Sequence, residues 1–440
     1  MNNTKKLKLS FSFLGNPDAS GQKKAIIFQN YFLIFFLLFG FSIMSCSSDD
    51  PEIEEPELKK EIIISVGANA ADAAQQAFIE VEEEFTIIFE EGLFSFTNTL
   101  SMDGKSTVVV KGAGRDKTFL DFSGQLAGGD GVLVSNSNSI RFEDLTIRDA
   151  KGDALKARDC NKISFVNIGT VWSGEPSIEN GAYGLYPVLS TEVYIDNCYA
   201  YGASDAGIYV GQSDQVILKN SVAEGNVAGF EIENTTNADV FGNEAFDNTG
   251  GILVFDLPGL TKYGSSTRVF DNNCHDNNRI NFAPEENTVA NVPAGTGCMI
   301  LSTKNVEIFN NNFNDNNFVG VLVANYLILN PSPSDPNYDP FPAGIYIHDN
   351  THSMTGAVEV ESQPELIQGI IGVLGLYGLP QPNVMLDGLL MSPDAVCIKE
   401  GSASFVNLNV SDPTFSSVTT EVSTHDCTKE ALPAIVFEPF

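Results

Sequence analysis

The stretch GASDAGIYVGQS at 202–213 is followed by NVAGFEIENT at 226–235 and NTGGILVFD at 248–256. In each, small residues precede a triplet that reads apolar, variable, apolar. Successive side chains of a strand point to opposite faces. Ile208 and Val210 therefore share one face, and Tyr209 takes the other. The same holds for Phe230 and Ile232 around Glu231, and for Ile252 and Val254 around Leu253. The pattern also occurs as GVLV at 131, ALKA at 154, GLYP at 184, GCMI at 297 and GVLV at 320. Including the first three stretches, the spacings are 23, 30, 23, 22, 22, 46 and 23 residues. The 46 is two periods, and the 30 is one period carrying an insertion.

A unit this short cannot bury its own apolar face and must stack on its neighbours. The period suits one coil of three short strands. Leucine-rich repeats have a similar period but need spaced leucines, and a propeller blade needs about twice the length. The expected fold class is all-β, a right-handed parallel β-helix of coils of about 22–23 residues. Open solenoid ends expose unpaired strand edges and need caps. NAADAAQQAFIEVEEE at 69–84 has a helical apolar period, with Asn69 as N-cap candidate, and is expected to cover the N-terminal end. Coils with the cap are expected over 62–356. Residues 357–440 lose the period and read as irregular C-terminal coils and a capping segment.

Asn167, Asn197, Asn220, Asn243 and Asn310 recur near the second corner of the coil. Stacked Asn side chains can satisfy turn groups along such a stack. Cys160, Cys198, Cys274 and Cys298 sit in or beside strands and read as buried free thiols. Cys397 and Cys427 form a candidate disulfide in the C-terminal region.

The first 45 residues read as a signal segment. Five lysines precede the apolar run YFLIFFLLFGFSIM at 31–44, which is short for a membrane span. The run leads into SIMSC, which looks like a bacterial lipobox with Cys46 as the lipidated residue. Residues 46–61 are acidic and proline-interrupted, the composition of a disordered tether. Acidic residues directly after Cys46 resemble the surface-export signals of Bacteroidota lipoproteins. The expected location is the cell envelope, as a surface-exposed outer-membrane lipoprotein held to the membrane only by its N-terminal lipid. An oxidising location permits disulfides.

The chain carries 24 basic and 57 acidic side chains, a formal charge of -33. Removing residues 1–45 takes away five lysines and one aspartate and leaves a net charge of -37. No basic stripe exists to hold nucleic acid. GAGRDKT at 112–118 lacks the glycine a phosphate loop needs before its lysine, so no nucleotide site is expected. NNCH at 272–275 is only a fragment of a haem-attachment pattern, so no haem is expected. The four histidines show no metal-binding spacing.

The middle residue of each triplet lies on the outer face. Down the stack it reads Leu133, Lys156, Tyr186, Tyr209, Glu231, Leu253, Met299, Leu322. Two residues on, the outer face carries Arg158, Glu233 and Phe255, followed at the corner by Gln212, Asn234 and Asp256. Aromatic rings flanked by charged and amide groups suit a shallow sugar-binding groove. Asp153 and Asp205 border it, and the insertion at 172–182, with Trp172, is a candidate wall. The leucines and methionine farther along imply a cover, drawn from 257–295, 325–342 or the C-terminal region.

NGAYGLYPV, GASDAGIYVGQS, NVAGFEIEN, NTGGILVFDLPGL and NFAPEENTVANVPAGTG resemble a family of exported parallel β-helix repeat proteins across about 62–430. The resemblance implies a secreted or lipidated protein of a family whose members tend to be encoded beside a second exported protein. More distantly, the fold is similar to that of pectate lyases, alginate lyases and mannuronan C5-epimerases. An enzyme of that kind must neutralise a uronate carboxylate and remove the C5 proton. In that reading Lys156 or a tyrosine is the base and Arg158 the clamp. Tyr186 and Tyr209 hold the rings, with Asp205, Gln212, Asn234, Phe255 and Trp172 around the substrate. Glu231, Glu233 and Asp256 are candidate Ca²⁺ ligands. The other reading is a non-catalytic module that binds a glycan or the partner protein through the same face.

Overall fold

Each coil is three short strands joined by tight corners. One coil runs through strands Ala206–Gly211, Asp214–Lys219 and Val222–Glu224. Its corners carry Gln212, Asn220 and Gly225 at φ of 50°, 51° and 69°. Left-handed backbone is costly for most side chains and mildest for Gly and Asn, which explains the Asn- and Gly-rich corners. The computed structural model describes residues 60–329 and 332–440. Cys46, the signal segment and nearly all of the tether lie outside the described residues.

First strands of successive coils stack into an 11-stranded sheet in chain order, from Asn98–Asp103 to Phe405–Asn407. The other two strands of each coil build a 20-stranded sheet. Ile208 pairs in register with Phe230, and Phe230 with Ile252, and all three are fully buried. The inward column is thus the one that alternation required. Each such side chain contributes roughly 1.5–3 kcal/mol by leaving water. Strands continue past 356, at Val384–Leu386, Val396–Lys399 and Phe405–Asn407.

The cap helix α1 spans Ala70–Glu80 and buries Ala70, Ala74, Ala77 and Phe78. Asn69 holds the N-cap position without a side-chain capping bond. The helix stops four residues short of the expected end, because Glu82, Glu83 and Glu84 have no apolar face to bury. The first strand, Lys60–Ile64, begins two residues before the expected boundary.

The asparagines divide into two roles. Asn167, Asn197, Asn220 and Asn310 are left-handed corner residues, with φ of 51–55°. The buried ladder starts at Asn243 and continues through Asn272, Asn311 and Asn350, with side-chain bonds of 2.9–3.0 Å. A second ladder, Asn226–Asn248–Asn277–Asn316, runs at the next corner. Cys160, Cys198, Cys274 and Cys298 are free and buried, as their strand positions implied.

Cys397 and Cys427 are disulfide-bonded. From Cys427 the chain runs back along one outward column of the 20-stranded sheet. That column reads Arg141, Ser164, Tyr194, Ile217, Asp239, Arg268, Glu307, Tyr346, Cys397, one residue per coil. Leu432 N–H donates to Glu307 at 2.8 Å, Ile435 N–H to Asp239 at 3.0 Å, and Arg141 to the Phe440 carbonyl at 3.4 Å. Residues 427–440 form a strap across the coils.

Candidate functional site

The outer face of the 11-stranded sheet changes character along its length. In register, its central column reads Ser101, Leu133, Lys156, Tyr186, Tyr209, Glu231, Leu253, Met299, Leu322. Ser101 is exposed, and Leu133, Lys156 and Tyr186 are half-buried. From Tyr209 onward the column is covered: Tyr209 is 3% exposed, Glu231 1% and Leu253 0%. The cover is a second apolar layer containing Val289, Val292, Ile367, Ile370 and Leu374. The last three lie on helix α2, Glu365–Leu376. The segments expected to cover the apolar columns do so.

Polar side chains collect where the open face meets the cover. Tyr183, Tyr186 and Tyr209 form a ring triangle with centroids 4.5, 4.6 and 4.9 Å apart. Lys156 Nζ lies 4.3 Å from the Tyr186 ring centre and 3.0 Å from Asp153 Oδ2. Asp130 takes the same position as Asp153 on the neighbouring coil, and the charge of Asp130 helps to raise the Asp153 carboxyl. Tyr183 takes that position on the next coil, and its hydroxyl donates to Asp205 Oδ2 at 3.3 Å. Asn287 donates to the same oxygen at 2.7 Å. The Tyr209 hydroxyl donates to Glu233 Oε1 at 2.7 Å. Glu231 lies close enough to Asp205 for the Asp205 charge to act on its carboxyl. The buried Asp205 Oδ1 and Glu231 Oε2 have no hydrogen-bond partner.

Burial dominates the electrostatics. It pushes the Asp153 carboxyl up to about 6, against the downward pull of Lys156. It pushes Asp205 up to about 7, helped by the charge of Glu233. Glu231 is held well above the carboxylate range by burial and then by Asp205. Burial also raises Glu233. All three tyrosines are raised by burial and then by neighbouring carboxylates, so they keep their protons. Clustered groups perturbed in this way mark functional sites more often than ordinary surface.

The structure brings together Lys156, Tyr186, Tyr209, Asp205, Glu231 and Glu233. It corrects several expectations. Tyr209 is no exposed platform: the cover and its neighbour tyrosines bury it. Arg158 turns to Asp159 at 3.1 Å on the exposed surface and clamps nothing in the cluster. Trp172 sits in the solenoid core, its indole N–H on the Ala150 carbonyl at 2.7 Å, so it walls no groove. Phe255 lies under the cover. Gln212 accepts from Thr261, and Asn234 holds Leu257 and Lys262, so both fasten the loop after Asp256. Asp256 accepts from Gly264 N–H at 2.6 Å.

The acidic trio does not fit a Ca²⁺ site. Glu233 is engaged with Tyr209 and Asp256 with Gly264, and the Glu231 carboxyl is held above the carboxylate range, unsuited to a cation. Among the described residues, no group of three or more His, Cys, Asp or Glu is arranged to hold a metal ion.

Asp130, Tyr183 and Asn287 were not anticipated. Asp130 and Tyr183 share with Asp153 the position just before each repeat's small residue. Tabulating that position would have found them. Asn287 lies in an insertion with no periodic signal.

Residues 130–328 match a sequence-family model described as a right handed beta helix region. The solenoid is a right-handed parallel β-helix. Comparison with curated proteins finds no match. Among solved structures, the β-helix is similar to the A-module of a mannuronan C-5 epimerase from Azotobacter vinelandii. The identity is 16%, covering 75% of this chain and 88% of that one, with a TM-score of 0.42. A DFA-IIIase from Arthrobacter chlorophenolicus A6 gives 11% identity, 74% and 80% coverage, and a TM-score of 0.46. An alginate lyase from Paenibacillus sp. gives 13%, 67% and 97%, and 0.36.

Proposed function

We propose that the β-helix binds a glycan on the open part of this face and cleaves it by acid–base chemistry between Asp153 and Asp205. The observation that carries the reading is the gathering of Lys156, three tyrosines and proton-holding carboxyls at the edge of the cover. Tyrosine rings supply apolar faces with polar tips, the combination a sugar ring needs. Asp153 and Asp205 lie two coils apart, about 10 Å at the backbone. Two carboxyls at a spacing that admits a sugar and a water are the parts of glycoside hydrolysis. With values of about 6 and about 7, either group can give or take a proton near neutrality.

Elimination or epimerisation of a uronate fits this geometry less well. Lys156 is engaged as a donor to Asp153, and the tyrosines hold their protons, so the expected bases are unavailable. Arg158 is turned away. The many carboxyls and single lysine favour a neutral glycan over an anionic one. Binding without cleavage is the second reading, favoured by the burial of Asp205 beneath Asn287. Lipid anchoring at Cys46, a place at the cell surface and a second exported protein as partner belong to the same proposal.

The test is incubation with neutral and uronate polysaccharides, reading new reducing ends and unsaturated products. New reducing ends lost in Asp153→Asn and Asp205→Asn support hydrolysis. Unsaturated products would replace it with elimination. Binding without products supports the second reading, and no binding to any glycan overturns both.

A further inference from the structure

We infer that the site takes a glycan by its chain end, because along the stack the face that carries it is open in one direction only. The inference rests on the reading above and narrows its substrate to chain termini. Toward the N-terminal coils, the central column leaves the cluster through Lys156 and Leu133 to the exposed Ser101, beside α1. Three coil spacings separate Tyr186 from Ser101, about 14 Å, room for a short run of sugar rings.

In the other direction the path is filled. A polymer lying across Tyr186 would have to continue over Glu231 and Leu253, which are 1% and 0% exposed. Val289 and Val292 share one apolar cluster with Leu253, and Phe282 and Ala283 pack against it. The roof is fastened at several points. Asn287 is bonded to Asp205, and Arg279 to Asp247 at 2.5 Å. Asn281 holds the Val289 and Val292 carbonyls. Ala294 and Gln363 exchange two hydrogen bonds at 3.0 and 2.9 Å, joining the roof to the segment before α2. A mid-chain sugar has no exit past these contacts, whereas a terminal sugar needs none.

The buried end of the path is also polar. Asp205 Oδ1 and Glu231 Oε2 are buried without a hydrogen-bond partner, and Asp205 Oδ2 takes bonds from Tyr183 and Asn287. A terminal sugar carries one more hydroxyl than an internal one, and groups of this kind can receive it.

The test compares linear oligosaccharides with rings of the same sugar and linkage, which have no ends. Maltoheptaose against cyclomaltoheptaose, and linear against cyclic inulo- and β-1,3-gluco-oligosaccharides, are titrated into the full chain by calorimetry. The expected result is that a linear series binds and its ring binds at least tenfold more weakly. Asn287→Ala, which loosens the roof without removing it, should narrow that ratio. Equal binding of ring and line overturns chain-end recognition and leaves the glycan reading standing. Failure of every linear probe overturns the glycan reading itself.

Discussion

Asp205 and Glu231, 26 residues apart in the chain and on neighbouring coils, each bury a carboxyl oxygen that has no hydrogen-bond partner, Oδ1 of one and Oε2 of the other. Burial raises both carboxyls, and the Asp205 charge raises Glu231 further, so the pair favours its protonated form.

The pair predicts a pH dependence of stability. Asp205 is raised to about 7, and Asp256 and Asp387 also to about 7, all by burial. In the unfolded chain such groups ionise near 4. Between about pH 4 and pH 7 the folded state binds more protons than the unfolded state, so stability falls as pH rises. The stabilisation is complete below pH 4 and lost through pH 7. Urea midpoints measured from pH 5 to pH 8 should therefore fall, and Asp205→Asn should flatten the slope.

The Asn ladders predict a positional contrast. Asn272 accepts from Asn243 and donates to Val240 and Asn311, all in the interior. Asn272→Ala strands buried groups at about 1–3 kcal/mol each. Asn220→Ala imposes left-handed backbone on alanine, at about 1–2 kcal/mol, and loses one exposed bond to Asp196 whose partner stays in water. Chemical denaturation should separate the two variants, with Asn272→Ala the less stable.

Lys156 predicts a shift in the activity profile. Lys156→Met removes the cation that holds Asp153 down, so the Asp153 carboxyl should rise above about 6. The limb of the cleavage profile set by Asp153 should then move to higher pH. Lys156→Arg should restore most of the original position.

Calcium should leave the melting curve unchanged, because the acidic trio is not arranged to hold a metal ion. The same curve in chelator should superimpose on it. A rise in melting temperature with Ca²⁺ that Glu233→Gln removes would refute this.

The strap predicts a loss of stability on breaking its anchor. Cys427→Ser should cost about 2–4 kcal/mol. Amide exchange of Leu432 and Ile435 should accelerate before that of the coils beneath.

Much of this was legible because a period repeats its own evidence. One coil misread would break the column Ile208–Phe230–Ile252, and none did. Tyr209 was misplaced because alternation separates two faces of a sheet but does not say whether a second layer covers the outer one. Leu253, Met299 and Leu322 carried that sign, and Tyr209 and Glu231 were the polar residues on its border. Asn287 was beyond reach, since an insertion has no register to read. Trp172 stood in an insertion by count but at the end of a strand by structure, which turned it inward.

The strap also changes how the protein can come apart. A stack in which each coil touches only its neighbours loses coils one at a time from a free end, like a coin column. Here residues 427–440 touch the coils of Arg141, Asp239 and Glu307 at once, and Cys397 ties their origin to a late coil. Peeling the last coils draws on contacts near the first. Melting should therefore resemble a single all-or-none event for the intact protein. With the disulfide reduced it should broaden toward the stepwise fraying of an ordinary repeat array.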